Sequence, residues 1–317
     1  MSNLPLTKQV VVDVFIFLAV CLPLLVVMVW GEPVQSGFWC RDESVRYPYK
    51  PDTVNTSLLL VMSFGGPFLV MTVTETIRAA LKTRLPRRFR GELLSLAKAY
   101  GAFLFGVAAN CILTDTLKFS IGRPRPHFID LCKPNFDKIN CTSDDLGLDR
   151  FVLDYECTNT EVDHRLLREA KLSFPSGHAS LSMFSALFTI FYLQLRMEIK
   201  FSHLLRPTLQ LCLIILAVLC CVTRIIDHKH FPSDVVAGAC LGTVVAWLSF
   251  YKIAHKLIPT IVPDKQPSKA ALARATSVES EPQTPTPLLR PERLVLNQGN
   301  NYRSSCPVSK ADFANNV

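Results

Sequence analysis

The sequence predicts an all-α protein, a six-transmembrane helical bundle. Of its 317 residues, 49% are hydrophobic, and the mean hydropathy is +0.27. The apolar residues are also gathered into six segments. The length of each is close to the about 20 residues that a helix needs to cross a bilayer. These segments are 10–30, 57–76, 93–113, 178–195, 209–226 and 235–258. Six such segments in one chain favour a membrane bundle over the buried helices of a soluble core.

The charge distribution indicates the topology of this bundle. The net charge is +8, but the basic residues crowd the short connection between the second and third segments. They are Arg78, Lys82, Arg84, Arg87, Arg88 and Arg90. An excess of Lys and Arg marks cytosolic loops, so this connection is expected inside. Both termini follow it to the cytosol, and the basic excess calls for no nucleic-acid partner.

Three regions follow from these assignments. Residues 1–9 are a short cytosolic N-terminus, 10–258 form the transmembrane domain, and 259–317 form a polar, disordered cytosolic tail. The first segment is interpreted as a retained helix rather than a signal peptide, because its apolar run is too long. External loops are expected at about 31–56, 119–175 and 227–234.

The long external loop carries two further features. Asn140 begins an Asn-Cys-Thr glycosylation acceptor. Four cysteines fall in external loops, and four cysteines allow three pairings, which the sequence leaves open. They are Cys40, Cys132, Cys141 and Cys157. We expect at least one disulfide within the long loop, the alternative being that some of these thiols stay free.

Residues 174–180, Phe-Pro-Ser-Gly-His-Ala-Ser, begin the fourth segment. A helix start offers free backbone N–H groups and a positive dipole end, which suit an anion such as phosphate. An ordinary helix cap is the alternative. Two other basic clusters, 118–126 after the third segment and 223–234 between the fifth and sixth, fall on the same external face. This convergence favours the anion site.

The residue types in these clusters suit phosphoryl transfer, whose transition state spreads charge over three oxygens. Lys118, Arg125 and Arg224 supply cations, and the two arginines can bind bidentately. Ser176 and the backbone at Gly177 add hydrogen-bond donors. Because these cations belong to the chain itself, no metal and no cofactor is expected. The alternative for the basic side chains is contact with lipid head groups at the membrane edge.

Two histidines remain for the covalent and proton-transfer work. Asp234 follows His230 by four residues, so its carboxylate is expected to hold one imidazole nitrogen and leave the other as a nucleophile or base. His178 would then protonate the leaving oxygen. The alternative for Asp234 is a simple helix cap.

The three motifs resemble a known signature. Lys118-x6-Arg125-Pro126, Pro175-Ser176-Gly177-His178 and Arg224-x5-His230-x3-Asp234 resemble the type 2 phosphatidic acid phosphatases, also called lipid phosphate phosphatases. The resemblance covers 10–258, and 41–50 is similar to the first external loop of the animal enzymes. Thr223 stands where the family usually has Ser, which keeps the hydroxyl. Within the motifs, spacing selects Arg125 over Arg123 and His230 over His228.

The resemblance implies a mechanism and substrates. His230 would attack phosphorus to form a phosphohistidine, with Asp234 activating it and His178 protonating the departing alcohol. Five residues would hold the phosphate: Lys118, Arg125, Ser176, Gly177 and Arg224. Substrates would be phosphatidate, lysophosphatidate, sphingosine 1-phosphate and ceramide 1-phosphate, met at the extracellular or luminal membrane face.

Three other classes of protein fit the sequence less well. A non-catalytic relative that binds lipid phosphate or scaffolds partners would lack key catalytic residues, all of which are present here. A transporter or channel would carry ionisable residues deep in its spans, which hold few beyond borders such as Asp13, Glu75 and Lys98. The vanadium haloperoxidases share the site but are soluble. The plasma membrane is expected, with an endomembrane as the alternative, and the oligomeric state, a homo-oligomer included, is open.

Overall fold

The computed structural model describes residues 6–81, 86–139, 141, 149–197 and 202–257. The helices are α1 (Leu6–Trp30), α2 (Thr56–Leu60), α3 (Gly66–Leu81), α4 (Pro86–Ile121), α5 (Phe128–Cys132), α6 (His164–Glu169), α7 (Gly177–Arg196), α8 (Leu205–Ile226), α9 (Pro232–Ser249) and α10 (His255–Leu257). π-Helical turns at Val61–Gly65 and Phe250–Ala254 join α2 to α3 and α9 to α10. A short antiparallel pair, β1 (Phe38–Trp39) with β2 (Phe151–Val152), links the external loops.

Five stretches of the described chain are long and apolar enough to cross a membrane. They are Thr56–Ala80, Leu93–Ile121, Gly177–Arg196, Leu205–Ile226 and Pro232–Leu257, and they correspond to the second to sixth predicted segments. Helix α1 has 25 residues, but its apolar part is the shorter stretch Val10–Pro23. The all-α membrane bundle is therefore confirmed, whereas the count of six crossings stays a prediction.

Helix α7 lies at the centre of the bundle, packed against α3, α4, α8 and α9. Phe184, Phe188 and Tyr192, four residues apart, share one face of α7 and are fully buried. The ring of Phe103 in α4 lies 5.6 Å from that of Phe184 and 5.4 Å from that of Phe188, measured between centroids. This aromatic core fixes α7 among its neighbours, so that the start of α7 lies among the ends of the other helices.

Small residues let α9 approach α7 backbone to backbone. A Cβ atom added at Gly242 would overlap the carbonyl oxygen of Ser180, and one added at Gly238 would overlap that of Ser176. Membrane helices use small residues in this way, because lipid gives helices no hydrophobic reason to associate and close van der Waals packing must replace it.

A buried ion cluster joins α3 to the far end of α7. The Nε and Nη2 atoms of Arg196 each lie 2.7 Å from the Glu75 carboxylate, which also accepts from the Tyr192 hydroxyl. Arg78 donates to the Arg196 carbonyl oxygen over 2.6 Å. The sequence places Glu75 at the border of its segment, but in the structure it is buried and paired, as charges in membrane helices require.

The first loop and the long loop, named external after their predicted side of the membrane, pack into one layer with a core of its own. Buried side chains of this core are Phe38, Phe128, Leu131, Val152 and Ala170. A disulfide between Cys132 and Cys157 closes the long loop, as expected, and one between Cys40 and Cys141 ties it to the first loop. The long loop is therefore shaped by helices α5 and α6, by β2 and by two covalent links.

Some predictions concern residues outside the described ranges. These are the glycosylation acceptor Asn140, the tail 259–317 and most of the terminal segment 1–9. Within that last segment, α1 begins at Leu6, so the first helix starts earlier than the apolar run alone predicts.

The close α7–α9 contact gives a stability prediction. Gly242→Ala places a methyl group against backbone that cannot move aside, and overpacking of this kind costs roughly 1–3 kcal/mol. We expect its melting temperature in detergent to fall by several degrees. The matched control is Gly101→Ala in α4, where a Cβ meets nothing within 4 Å and the better helix former should leave the melting temperature equal or higher. Equal effects of the two substitutions would contradict the close packing.

Candidate active site

The start of α7 is held by backbone contacts with α9. The Ser176 N–H donates to the Asp234 carbonyl oxygen over 3.0 Å, and the Ser176 side chain caps α7 by accepting from Ala179 N–H over 3.5 Å. The first-turn N–H groups of Gly177 and His178 have no intrahelical acceptor, as at any helix start. The helix cap that was the alternative interpretation of this segment is present, and it leaves the N–H groups of Gly177 and His178 available to an anion.

Lys118 reaches the same point from the last turn of α4. A Cβ at Gly177 would lie 3.1 Å from the Lys118 ammonium nitrogen, so the cation lies against the start of α7 and a larger residue there would shift it by a few tenths of an ångström. Asp115, one turn earlier on α4, lies 3.7 Å from the ammonium group and partly balances its charge. The predicted pair of Lys118 and Gly177 is therefore together in the structure.

His230 is buried and oriented by a carbonyl group. Its Nδ1 lies 2.7 Å from the backbone oxygen of Ser173. A carbonyl oxygen only accepts, so Nδ1 carries the proton and the Nε2 lone pair is free. Burial, together with the charges of Arg125 and Lys118, lowers the pKa of His230 well below its ordinary value. The ring is therefore neutral at physiological pH.

Asp234 does not bond to His230, contrary to the expectation from their spacing. Its Oδ2 accepts from the Ser173 hydroxyl over 2.5 Å and from Phe231 N–H over 3.2 Å, and its Oδ1 lies 2.5 Å from Arg123. Asp234 thus caps α9 and fixes Ser173, whose carbonyl oxygen in turn holds His230. Its influence on the imidazole passes through Ser173.

Arg224 comes from the last turn of α8 and is 1% exposed. Its Nη1 lies 2.9 Å from Asp52 of the first external loop, and its Nη2 lies 3.2 Å from Asp227. The carbonyl oxygen of Arg224 also accepts from His230 N–H over 3.2 Å. The two ends of the third motif are therefore tied together by the turn that separates α8 from α9.

Three buried nitrogens of the site lack a partner among the described residues. They are His178 Nε2, Arg125 Nε and Arg224 Nε. His178 directly follows Gly177, beside which the Lys118 ammonium group lies. Buried polar atoms are nearly always paired, so these three nitrogens are candidates to form hydrogen bonds with a polar ligand.

The first external loop forms part of the site rim. Thr53 donates to Asp227 through both N–H and Oγ1 over 2.8 Å, and Lys229 lies 3.7 Å from the centroid of the Tyr49 ring. Lys229 also lies 3.8 Å from Asp52, which therefore stands between two buried cations at the mouth of the site.

Sequence reasoning missed Arg123, Ser173 and Asp52. Arg123 stands two positions from the selected Arg125, yet it pairs with Asp234 and lies over the Phe231 ring, 4.1 Å from its centroid. Residues 41–50 resemble the first external loop of the animal enzymes, but this similarity ends two residues before Asp52 and so does not include it. His127, left out of the site, is buried behind it, and burial lowers the pKa of its imidazole to about 4.

Comparison with known proteins agrees with these motifs. Residues 99–257 match the PAP2 superfamily. Phospholipid phosphatase 1 of Rattus norvegicus is 39% identical over 250 residues, which cover 78% of this chain and 86% of that protein. Phospholipid phosphatase 2 of Mus musculus is 35% identical over 249 residues, or 76% of this chain and 84% of the relative.

The human relative is similar to the same extent. Phospholipid phosphatase 2 of Homo sapiens is 34% identical over 241 residues, or 76% of this chain and 81% of that protein. No solved structure is significantly similar to the chain. With matched motifs, a matched superfamily domain and relatives aligned over most of their length, the chain belongs to the lipid phosphate phosphatase family of the PAP2 superfamily.

Proposed function

We propose that this protein is a metal-independent phosphatase of lipid phosphates, acting through a phosphohistidine intermediate. The observation that carries the proposal is the cluster of unpartnered buried nitrogens on His178, Arg125 and Arg224, beside an imidazole whose Nε2 lone pair is free. A phosphate group would supply the missing acceptors. The relatives' names, phospholipid phosphatase 1 and 2, support the same class of substrate.

The reaction proceeds in two steps. His230 Nε2 attacks phosphorus, the bond from phosphorus to the lipid oxygen breaks, and His178 gives its proton to that departing oxygen. Water then attacks the phosphohistidine while His178 takes its proton, and inorganic phosphate and free His230 result. Lys118, Arg125 and Arg224 offset the charge on the three equatorial oxygens in both steps.

The substrates we propose are phosphatidate, lysophosphatidate, sphingosine 1-phosphate and ceramide 1-phosphate. The site residues lie at the ends of apolar helices, at the depth where a lipid anchored in the outer leaflet presents its phosphate. The basic connection after the second segment supports an extracellular or luminal face for this end of the bundle. We propose the plasma membrane as its location.

The first test measures phosphate release from phosphatidate micelles in EDTA. We expect steady turnover by the wild type and a loss of at least about a thousandfold in His230→Ala, because the nucleophile is gone. The control is His228→Ala, two positions earlier, whose half-buried ring stacks on Tyr47 with centroids 4.2 Å apart and takes no part in the proposed chemistry. It should retain most of the activity.

Two results of this assay would contradict the proposal. One is a silent wild type on all four lipid phosphates, which would favour a non-catalytic lipid-phosphate-binding protein. The other is activity that disappears in EDTA and returns with a divalent metal. Retention of activity by His230→Ala would leave phosphatase activity standing but overturn the assigned nucleophile.

The two neighbouring arginines should differ in their kinetic effects. Arg125→Gln removes a cation from the phosphate site, so the inhibition constant of inorganic phosphate should rise about tenfold to a hundredfold, the range for a charge-assisted hydrogen bond. Arg123→Gln loosens Asp234 and Ser173, so kcat should fall while phosphate inhibition changes little. Measured inhibition constants in the reverse order would assign the phosphate contact to Arg123.

Asp52 should weaken phosphate binding by occupying Arg224 in the free site. Asp52→Asn keeps the side-chain shape and removes the charge that competes with phosphate, so the inhibition constant of phosphate should fall by about threefold. The matched control, Glu43→Gln, removes a carboxylate of the same loop that is 87% exposed, and it should change nothing. A rise in the inhibition constant for Asp52→Asn would mean that Asp52 mainly positions Arg224.

A further inference from the structure

An apolar groove opens beside the candidate active site, between α4, α9 and the segment before α7. Its volume is about 290 Å³, close to the lower end of the range for ligand pockets, about 300 Å³. Its lining consists of Leu117, Phe174, Pro175, Ala237, Cys240, Leu241 and Val244. None of these side chains is charged, so the groove suits hydrocarbon rather than a polar ligand.

Three residues of the groove lining are direct neighbours in the chain of residues at the start of α7 or of the candidate phosphate site. Leu117 directly precedes Lys118, and Pro175 directly precedes Ser176. Ala237 precedes Gly238, whose Cα packs against the Ser176 carbonyl oxygen. A molecule with its phosphate at the start of α7 therefore has the mouth of the groove next to it.

The groove runs away from the site along one face of α9. Ala237, Leu241 and Val244 are three to four residues apart, so they line up on one side of the helix. At 1.5 Å per residue the run from Ala237 to Val244 covers about 10 Å. Val244 is 53% exposed and Leu117 38% exposed, so the groove is open sideways, where the bilayer lies.

We propose that this groove binds an acyl chain of the substrate lipid while its phosphate occupies the site between Lys118, His178 and His230. The inference rests on the proposed phosphatase function. Leaving the bilayer for the groove brings the chain little hydrophobic gain, because lipid tails are as apolar as the lining. The groove instead orients the lipid, since a chain fixed beside the site restricts how the attached phosphate can approach His230.

The test fills the groove and compares long with short chains. Ala237→Trp puts a bulky ring next to the site, whereas the matched control Val236→Trp puts the same ring on the neighbouring residue, which is 62% exposed and outside the lining. For each protein, kcat/KM is measured for dioleoyl and for dihexanoyl phosphatidate, and the inhibition constant of inorganic phosphate reports on the phosphate site.

We expect Ala237→Trp to lower the ratio of kcat/KM for dioleoyl to that for dihexanoyl phosphatidate by about tenfold, with phosphate inhibition unchanged. Val236→Trp should leave both quantities unchanged. An unchanged ratio in Ala237→Trp would mean that ordinary bilayer lipid fills the groove, and an equal fall in the control would mean a general effect on α9. Either result overturns the proposal.

A second measurement detects lipid in the groove without any hydrolysis of that lipid. It therefore tests this inference separately from the proposed phosphatase function. Cys240 lines the groove and Cys212 of α8 is exposed elsewhere. In the His230→Ala protein, dioleoyl phosphatidate should slow alkylation of Cys240 by N-ethylmaleimide and leave that of Cys212 unchanged, as read by peptide mass spectrometry. Equal rates at Cys240 with and without the lipid would overturn the groove assignment. A wild type that is inactive on every lipid would overturn the proposed function alone.

Discussion

The close approach of α9 to α7 is the contact on which the rest of the site depends. Gly238 and Gly242 let the two backbones touch at Ser176 and Ser180, and the Ser176 N–H then bonds to the Asp234 carbonyl oxygen. Because α7 begins where α9 begins, the histidine that follows Gly177 and the histidine that precedes α9 fall in one place. A side chain at either glycine would force the two backbones to shift apart.

Charge balance explains how three basic side chains can lie together in this site. Three cations are gathered in a buried region, which is unfavourable unless counter-charges are near. Asp115 lies beside Lys118, and Asp52 and Asp227 lie beside Arg224. Of these, Asp52 is the most exposed, at 34%, whereas Asp115 lies in α4 and Asp227 caps the end of α8 and accepts two bonds from Thr53. Asp52 is therefore the carboxylate that a phosphate group would displace at the smallest structural penalty.

Much of this arrangement is readable from sequence, and the exceptions have physical causes. The apolar segments predict the bundle, and they place the three motifs at helix ends on one face of it. The meeting of Lys118 with Gly177 follows from that placement. The expected bond from Asp234 to His230 fails because Phe231 is extended and α9 starts only at Pro232, so spacing along a helix does not apply. The roles of Arg123 and Asp52 arise from pairing between distant segments, which no local pattern encodes.

The same cations that would bind phosphate also act on His230, the proposed nucleophile. A histidine attacks phosphorus only as the neutral ring, and burial beside Arg125 and Lys118 disfavours the imidazolium form of His230. The Ser173 carbonyl oxygen fixes the remaining proton on Nδ1, so the free lone pair is on Nε2. In the proposed reaction a phosphate dianion would offset this positive charge, so Lys118 and Arg125 would serve both to bind the substrate and to keep His230 unprotonated before it binds.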